Sequence, residues 1–306
     1  MSFELIILGS SSALPTSKRS TAAHLLNINE RFFLIDCGEG TQIQLRKNKL
    51  SAARINHIFI SHLHGDHVFG LFGLISSLGM MGRRSDLNLY GPEALEEMMR
   101  VHLNFFGPVP FKLKFHISAA NKLVYEDSKL QVHSLKLLHR KETYGYVFRE
   151  KPYLLNIDKK LIEKYALGIE DIKNIKQGMD LVLDDGKVVQ NSELTLPPLR
   201  PRSYAYISDT AFLPELADSL QNIDLLYHEA TFLEEDLSLA KQTYHSTARQ
   251  AATIAKEANA GKLLIGHFST RYKNEEKFKE EASQVFQRTE AINDGDRFQV
   301  ELRRST

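Results

Sequence analysis

The densest group of potential metal ligands in this 306-residue chain is the segment SHLHGDH, residues 61–67. It directly follows an apolar run that predicts a buried strand. Histidine nitrogen and aspartate oxygen are ligands that Zn²⁺ accepts in proteins. Because side chains alternate along an extended segment, His62 and His64 face the same way and can bind one ion. Asp66 and His67 lie past the glycine that bends the chain, so they can face a second ion.

Short apolar runs alternate with helical patterns along the whole chain, which predicts an α/β fold. The predicted strands cover residues 3–8, 21–28, 31–35, 55–60, 87–90, 111–117, 130–137, 144–149, 181–190, 203–208, 223–228, 262–266 and 296–302. The predicted helices cover residues 41–48, the stretch after the histidine segment to about 78, 92–105, 245–258 and 274–287. The sequence contains no internal repeat, low-complexity segment or flexible linker. We therefore predict a single domain over residues 1–306.

Residues 150–178 interrupt the alternation of strands and helices. This stretch contains six lysines and five acidic residues and has weak strand patterning. It predicts one or two short helices that leave the core as an inserted arm. A solvated surface insertion without a binding role is an equally good interpretation of these residues.

The overall charge gives no support for a nucleic-acid partner. The chain has 39 basic and 38 acidic side chains, a net charge of +1, whereas dedicated nucleic-acid binders are usually more basic. Any RNA must therefore be bound by local basic clusters. Candidate phosphate contacts of this kind are the Arg83-Arg84 pair, Arg200 and Arg202, although such pairs are often plain surface residues.

The composition also predicts the compartment. The chain has no apolar run of about 18 residues, so no membrane span is expected. Its first residues lack the basic and apolar regions of a secretory signal. Cys37 is the only cysteine, so no internal disulfide can form. These features predict a cytoplasmic protein.

The H-x-H-x-D-H pattern of residues 62–67 resembles that of the metallo-β-lactamase superfamily. The resemblance implies an αββα sandwich with metal bound at the ends of strands. It also implies three later ligands, which here are His139, Asp209 and His267. Each of them follows a predicted strand, in the expected order.

The same resemblance implies two Zn²⁺ per chain, with Mn²⁺ as the alternative metal. The ligands of the first ion would be His62, His64, His139 and Asp209. The ligands of the second ion would be Asp66, His67, Asp209 and His267. Asp209 would bridge the two ions, and Asp66 would also orient the attacking water. Two metals about 4 Å apart can hold both the attacking and the leaving oxygen of a phosphodiester.

Further motifs resemble ribonuclease Z, the tRNA 3′-processing endonuclease, in its short form. They are LGSSSALP at 8–15, FLIDCGEGTQ at 33–42, HEATF at 228–232, HST at 245–247 and HFSTRY at 267–272. The resemblance implies cleavage of precursor tRNA, with Glu229 orienting His245, which protonates the leaving 3′ oxygen. Asp36 would support a metal-binding histidine, Cys37 would be a packed thiol, and Arg271 would contact the scissile phosphate or a neighbouring one.

The chain departs from this family at two places. Ser20 stands where the family has an asparagine, after the Lys18-Arg19 pair. The arm lacks the family's Gly-Pro tip, although Lys173 and Lys176 remain as RNA contacts. The short members of the family are homodimers in which the arm of one subunit serves the active site of the other. The resemblance therefore implies a homodimer, which the sequence itself does not show.

Two other classes of function share this scaffold. One is a hydrolase of small molecules, such as a phosphodiesterase, an arylsulfatase-like enzyme or a lactonase, which would need neither the arm nor the HEATF and HST motifs. The other is an inactive binding module, which would have been free to lose Asp66 or His139. The retained ligands and motifs favour the tRNA endonuclease.

Overall fold

The computed structural model describes residues 2–304 and has two seven-stranded sheets packed face to face. The strands are β1 Phe3–Gly9, β2 Ala23–Ile28, β3 Arg31–Ile35, β4 Ile55–Phe59, β5 Leu87–Gly91, β6 Leu113–Ile117, β7 Lys122–Glu126, β8 Leu130–Leu137, β9 Thr143–Glu150, β10 Asn156–Ile157, β11 Leu181–Val182, β12 Val188–Val189, β13 Thr195–Leu196, β14 Ser203–Ile207, β15 Leu225–Glu229, β16 Lys262–Gly266, β17 Thr289–Ala291 and β18 Arg297–Gln299. The α-helices are α1 Thr41–Lys47, α2 Gly65–Met80, α3 Ala94–Phe106, α4 Lys159–Lys164, α5 Ile169–Lys176, α6 Asn191–Leu194, α7 Leu216–Ser219, α8 Leu237–Thr243, α9 Ala248–Glu257 and α10 Glu276–Ser283.

Each sheet is built from one half of the chain, except that the last strand, β18, joins the first sheet. The first sheet has the order β18-β1-β2-β3-β4-β5-β6, and the second has the order β17-β16-β15-β14-β9-β8-β7. Strand β18 returns from the C-terminal part of the chain to pair antiparallel with β1. This pairing ties the end of the chain to its beginning.

Three hydrophobic clusters lie between the layers of the fold. The cluster between the sheets is rich in aromatic side chains, among them Phe33, Phe59 and Tyr146. Leu71 and Ile75 of α2 belong to the cluster on the outer face of the first sheet. Residues of α7, α9 and α10 belong to the cluster on the outer face of the second sheet. The layers are therefore helix, sheet, sheet and helix, as the resemblance implies.

The strand directions bring the chemistry to one edge of the sandwich. Strands β14, β15 and β16 are parallel, so their carboxyl ends lie side by side. Strand β8 is antiparallel to β9, which is antiparallel to β14, so β8 also ends at this edge. In the first sheet, β3, β4 and β5 are parallel to one another. Polar residues that follow these strands can therefore converge in one place.

The chain between β9 and β14 leaves the second sheet and returns to it beside its starting point. The backbone N–H of Glu150 donates to the carbonyl of Arg202 at 2.9 Å. Between them, two pairs of short strands and three helices surround a small apolar cluster of their own. Its buried members are Ile157, Leu167, Ile175, Leu181, Val189 and Leu194. This cluster extends past residue 178, and the strand pattern predicted over 181–190 around the Asp185-Gly186 turn is the hairpin of β11 and β12.

The other differences from the predicted elements are local, and they include β7, β17, α7 and α8. The sequence pattern does not reveal β7, because its residues are exposed or only partly buried and lack an apolar alternation. Helix α8, between the HEATF and HST motifs, was also not predicted. Within residues 2–304, no helix is long and apolar enough to cross a membrane.

Candidate metal centre and proton-donor pair

The residues predicted as metal ligands converge at the shared edge of the two sheets. Two groups of potential ligand atoms, within 4.8 Å of one another in each group, contain all seven. The groups are His62, His64, His139 and Asp209, and Asp66, His67 and His267. A third group joins His245 to Asp209 and His267. The proton donor predicted from the HST motif therefore lies next to the predicted metal ligands.

In the first group, three imidazole nitrogens face one another. Nε2 of His62 lies 2.9 Å from Nδ1 of His64, which lies 3.3 Å from Nε2 of His139. Oδ2 of Asp209 lies 3.6 Å from Nε2 of His62 and 3.9 Å from Nε2 of His139. Ligand atoms about 2.1 Å from a tetrahedral ion lie roughly 3.4 Å apart, so these separations fit a single small cation.

In the second group, the separations are more uniform. Oδ2 of Asp66 lies 3.5 Å from Nε2 of His67 and 3.4 Å from Nε2 of His267. Oδ1 of Asp209 lies 3.5 Å and 3.3 Å from the same two nitrogens. Asp209 thus turns one oxygen to each group, which is the geometry that a bridging carboxylate needs.

Buried polar atoms in this cluster have no hydrogen-bond partner within the described chain. They include Nε2 of His67 and Oδ1 of Asp209. An unpaired buried polar atom costs free energy, so such atoms need a ligand. Burial lowers the pKa of His67, but the carboxylates of Asp66, Asp209 and Asp36 outweigh it and raise that pKa to about 10. The cluster therefore favours a positive charge, and its atoms fit a bound divalent cation.

A buried carboxylate behind the ligands fixes the orientation of His67. Oδ2 of Asp36 accepts hydrogen bonds from Nδ1 of His67 at 2.7 Å, from the hydroxyl of Tyr206 at 2.7 Å and from the hydroxyl of Ser61 at 2.8 Å. Oδ1 of Asp36 accepts from the backbone N–H of Ser61 at 2.7 Å. Asp36 thus contacts one of the histidines that the sequence predicts as metal ligands. The proton on Nδ1 leaves Nε2 of His67 free to bind a cation.

Three residues around the site have a backbone conformation that side chains disfavour. Their φ angles are 54° at Asp36, 59° at Tyr244 and 62° at His267. The carbonyl of Tyr244 accepts a hydrogen bond from Nδ1 of His139 at 2.9 Å, which directs Nε2 toward Asp209. Left-handed non-glycine residues concentrate at functional sites because the surrounding structure must hold them there.

The predicted proton-donor pair is also assembled. Oε1 of Glu229 accepts a hydrogen bond from Nδ1 of His245 at 2.9 Å. It also accepts from the backbone N–H groups of Thr210 at 3.1 Å and Ser246 at 3.0 Å. Glu229 is completely buried, whereas the side chain of His245 is 14% exposed. The carboxylate is therefore fixed, and the imidazole remains accessible to a substrate.

The charge of Glu229 controls the protonation of His245. Burial lowers the pKa of His245, but the neighbouring carboxylate outweighs this effect and raises the pKa to about 9. In turn, burial raises the pKa of Glu229, and the charge of His245 more than offsets it, so that pKa is lowered. An imidazolium paired with a carboxylate can donate a proton at neutral pH.

The N-terminal loop closes over the second ligand group. The backbone N–H of Ala13 donates to Oδ2 of Asp66 at 2.8 Å, and the N–H of His267 donates to the carbonyl of Ser10 at 3.0 Å. Arg19 is buried and anchors the loop by donating to the Ser10 hydroxyl at 2.6 Å and to the carbonyl of Ile292 at 2.7 Å. Sequence reasoning identified this loop only by resemblance and missed its contact with Asp66.

The three predicted RNA contacts lie in different places. Arg271 is exposed, and its guanidinium lies 5.4 Å from the ring centre of Phe232, whose ring is 6.1 Å from that of His245. Lys173 and Lys176 lie on α5, and neither forms an ion pair with any residue in 2–304. The structure thus brings Arg271 to the rim of the site, whereas the two lysines belong to the segment between β9 and β14.

Two of the other candidate phosphate contacts have structural roles instead. The guanidinium of Arg83 is buried and donates to the carbonyls of Ser85, Ile55 and Asp86. The guanidinium of Arg202 is buried and donates to Oε1 of its ion-pair partner, a glutamate at the end of β9, at 2.8 Å. The prediction that these two arginines contact phosphate is wrong, because a sequence does not reveal which charged side chains are buried.

The chain is similar to named proteins over most of its length. A family model described as Anti-Pycsar protein Apyc1 matches residues 3–107. Ribonuclease Z of Bacteroides fragilis strain YCH46 is 47% identical over 290 residues, which cover 94% of this chain and 95% of that protein. Ribonuclease Z of Parabacteroides distasonis is 44% identical over 301 residues, which cover 97% and 99%.

A solved structure extends the similarity to three dimensions. The crystal structure of human tRNase Z, short form, matches with a TM-score of 0.69 at 25% identity, covering 96% of this chain and 98% of that chain. The predicted resemblance is confirmed by these matches. The chain belongs to the ribonuclease Z family and has the metallo-β-lactamase fold.

Proposed function

We propose that this chain is a metal-dependent endoribonuclease that removes 3′ trailers from precursor tRNA and leaves a 3′-hydroxyl on the tRNA. The observation that carries this proposal is the close approach of His245, held by Glu229, to two groups of metal-ligand atoms. A phosphodiester hydrolase needs both parts, because one activates water and the other protonates the departing oxygen. Family membership selects precursor tRNA as the substrate.

The proposed cofactor is two Zn²⁺ per chain, with Mn²⁺ as the alternative. The first ion is assigned to His62, His64, His139 and Asp209. The second ion is assigned to Asp66, His67, His267 and the other oxygen of Asp209. When bound, the ions supply a water of lowered pKa and neutralise charge on the phosphodiester.

The protein residues then position the water and supply the proton. We assign to the carboxylate of Asp66 the hydrogen bond that orients the attacking water, and the N–H of Ala13 holds that carboxylate in place. Glu229 retains the proton on Nδ1 of His245, so Nε2 is the nitrogen that donates to the leaving 3′ oxygen. Arg271, beside Phe232 at the rim, is assigned to a phosphate next to the scissile one.

We assign tRNA binding away from the metals to the arm, which in the structure is the whole segment between β9 and β14. Lys173 and Lys176 are separated by three positions on α5, so they share one face of the helix. Ile175 is buried in the cluster of the arm, so the face of the helix that carries Ile175 points inward. Phosphate contacts of this kind supply affinity without reading the sequence of the RNA.

We further propose a homodimer formed through the outer faces of α2 and α3. Four apolar side chains there are 45–82% exposed: Phe69, Val101, Phe105 and Phe106. Contiguous exposed apolar surface marks interaction sites, and a second copy of this chain is the partner that the family resemblance implies. We place the protein in the cytoplasm, where the buried thiol of Cys37 stays reduced.

A small-molecule phosphodiesterase on the same scaffold is the alternative function. Such an enzyme would need the histidine segment, which lies within residues 3–107 that the Apyc1 model matches, but neither the arm nor the HEATF and HST motifs. The two functions are separated by comparing kcat/KM for a 3′-extended precursor tRNA with that for a cyclic dinucleotide. We expect the precursor to be preferred by several orders of magnitude. The reverse preference would establish the alternative.

A further inference from the structure

Two buried carboxylates each serve two histidines of the site, one directly and one through a hydroxyl group. Asp36 accepts directly from Nδ1 of His67, and Glu229 accepts directly from Nδ1 of His245. The Ser61 hydroxyl connects Asp36 to a second histidine, His62. The Thr231 hydroxyl connects Glu229 to a second histidine, His267. The contact through Thr231 matters more here, because it joins a metal-binding histidine to the proton-donor pair.

The direction of the hydrogen bonds through Thr231 follows from the geometry. Nε2 of His267 faces Asp66 and Asp209 at 3.4 Å and 3.3 Å, so it must be unprotonated when it binds a cation. The ring proton is then on Nδ1, which lies 3.0 Å from the Thr231 hydroxyl. The hydroxyl accepts this proton and donates its own to Oε2 of Glu229 at 2.8 Å.

The Thr231 hydroxyl also lies 3.1 Å from Nδ1 of His245, but that nitrogen donates its proton to Oε1 of Glu229, so the hydroxyl can accept from His267. Oε1 accepts from His245, Thr210 and Ser246, and Oε2 also accepts from the backbone N–H of Thr231 at 2.9 Å. Thr231 is 4% exposed, so water has little access to its hydroxyl. One carboxylate thus fixes the tautomer of His245 and, through one hydroxyl, that of His267.

The other carboxylate has the same arrangement. The Ser61 hydroxyl lies 3.0 Å from Nδ1 of His62 and donates to Oδ2 of Asp36 at 2.8 Å. Nε2 of His62 faces Oδ2 of Asp209. The repetition of a carboxylate, a hydroxyl and a histidine in both sheets indicates that the hydroxyl is a functional part of the site rather than an accident of packing.

We propose that the Thr231 hydroxyl is a positioning group that holds His267 in the tautomer that binds metal and couples the second metal site to Glu229. This inference rests on the proposed function, because it requires His267 to be a metal ligand. Positioning groups behind a ligand typically change metal affinity by 10- to 100-fold. A threonine that only packs in the core would affect folding stability and leave metal affinity unchanged.

The test compares Thr231→Val with Thr231→Ser. Valine keeps the shape of threonine and removes the hydroxyl, whereas serine keeps the hydroxyl and removes a methyl group. Zn²⁺ affinity is measured by competition with a chromophoric chelator. We expect Thr231→Val to weaken one of the two ions 10- to 100-fold and to leave the other within about threefold. Thr231→Ser should bind both ions within about threefold of the wild type.

Two controls separate this inference from the proposed function. Thermal unfolding of both variants without metal shows whether each is folded. His267→Ala should lose the ion that Thr231→Val weakens. If wild type bound no zinc, or His267→Ala bound it normally, the proposed metal site would be wrong. If His267→Ala lost an ion while Thr231→Val bound both ions like the wild type, only the role of the Thr231 hydroxyl would be overturned.

Discussion

Nδ1 of His245 lies 2.9 Å from Oε1 of Glu229, and the carboxylate is completely buried whereas the imidazole is partly exposed. The pairing assigns one proton to the inner nitrogen and leaves the outer nitrogen for the substrate. It also raises the pKa of His245 to about 9, so the imidazole stays protonated at neutral pH. The pair therefore has the charge and orientation of a general acid.

Glu229→Gln should move the alkaline limb of the pH–rate profile to lower pH. A general acid works only below its pKa, and loss of the carboxylate removes the charge that raises the pKa of His245. Activity of the variant should therefore decline at a lower pH than that of the wild type. The measurement is kcat for precursor tRNA from pH 6 to 10. An unchanged alkaline limb would show that Glu229 does not control His245.

His245→Ala should lower kcat by roughly 10²- to 10⁴-fold, the range expected for loss of a general acid. The variant should keep its metal content, because the seven assigned ligands do not include His245. A substrate with a nitrophenolate leaving group needs no protonation and should be cleaved by the variant at a much smaller disadvantage. An equal loss on both substrates would indicate that His245 is structural.

Asp209→Ala should weaken both metal sites at once. Oδ2 of Asp209 faces His62 and His139, and Oδ1 faces His67 and His267. No other carboxylate among the described residues divides its oxygens between the two ligand groups. Metal analysis of protein purified without chelator, together with turnover of precursor tRNA, tests this. The matched control is Asp66→Ala, which should weaken only the second ion while also slowing hydrolysis.

The sequence predicts the local part of the site better than the distant part. The candidate ligands at 62–67 follow from their spacing alone, because they lie within six consecutive residues. His139 and His267 contact that segment across 75 and 201 positions, so only the family resemblance indicates them. No pattern reveals Thr231 as a hydrogen-bond partner of His267, because its role depends on two rings brought together by folding.

The same limit applies to charged residues and to the arm. Arg202 and Arg83 have the sequence context of surface charges, but tertiary contacts bury both. The predicted end of the arm at 178 is too early to include its core, because Leu181 and Leu194 pack against residues far before them in the chain. The positions of most strands and helices along the chain, in contrast, follow from apolar periodicity, which is a local property.

Replacing residues 153–198 with a short Gly-Ser linker should separate tRNA cleavage from metal chemistry. The ends of the arm are adjacent, because Glu150 and Arg202 are hydrogen-bonded through their backbones, so a short linker can join them. A linker over 152–176 alone would leave Leu181 and Leu194 without their packing partners. The variant should keep its metal and hydrolyse a small phosphodiester, but bind precursor tRNA more weakly and with a shallower salt dependence.

Charge reversal tests the arm without removing it. Lys173→Glu with Lys176→Glu should weaken tRNA binding, whereas Arg46→Glu with Lys47→Glu, an equal change in charge on exposed residues of α1, should have little effect. Binding is measured at two salt concentrations. Equal losses of tRNA binding in the two double variants would show that the arm lysines act only through overall charge. In the linker experiment, tRNA cleavage at the wild-type rate would show that the arm is an ordinary surface insertion.

The most direct test is to map the cut that the purified protein makes in a precursor tRNA with a 3′ trailer. We predict one cut at the 3′ end of the tRNA body, a 3′-hydroxyl on the tRNA and a 5′-phosphate on the trailer. Cleavage should stop after chelation and return with Zn²⁺ or Mn²⁺. Asp209→Ala should make no cut under any of these conditions. An intact precursor with fully metallated protein, or cleavage that persists in Asp209→Ala, would contradict the proposed function.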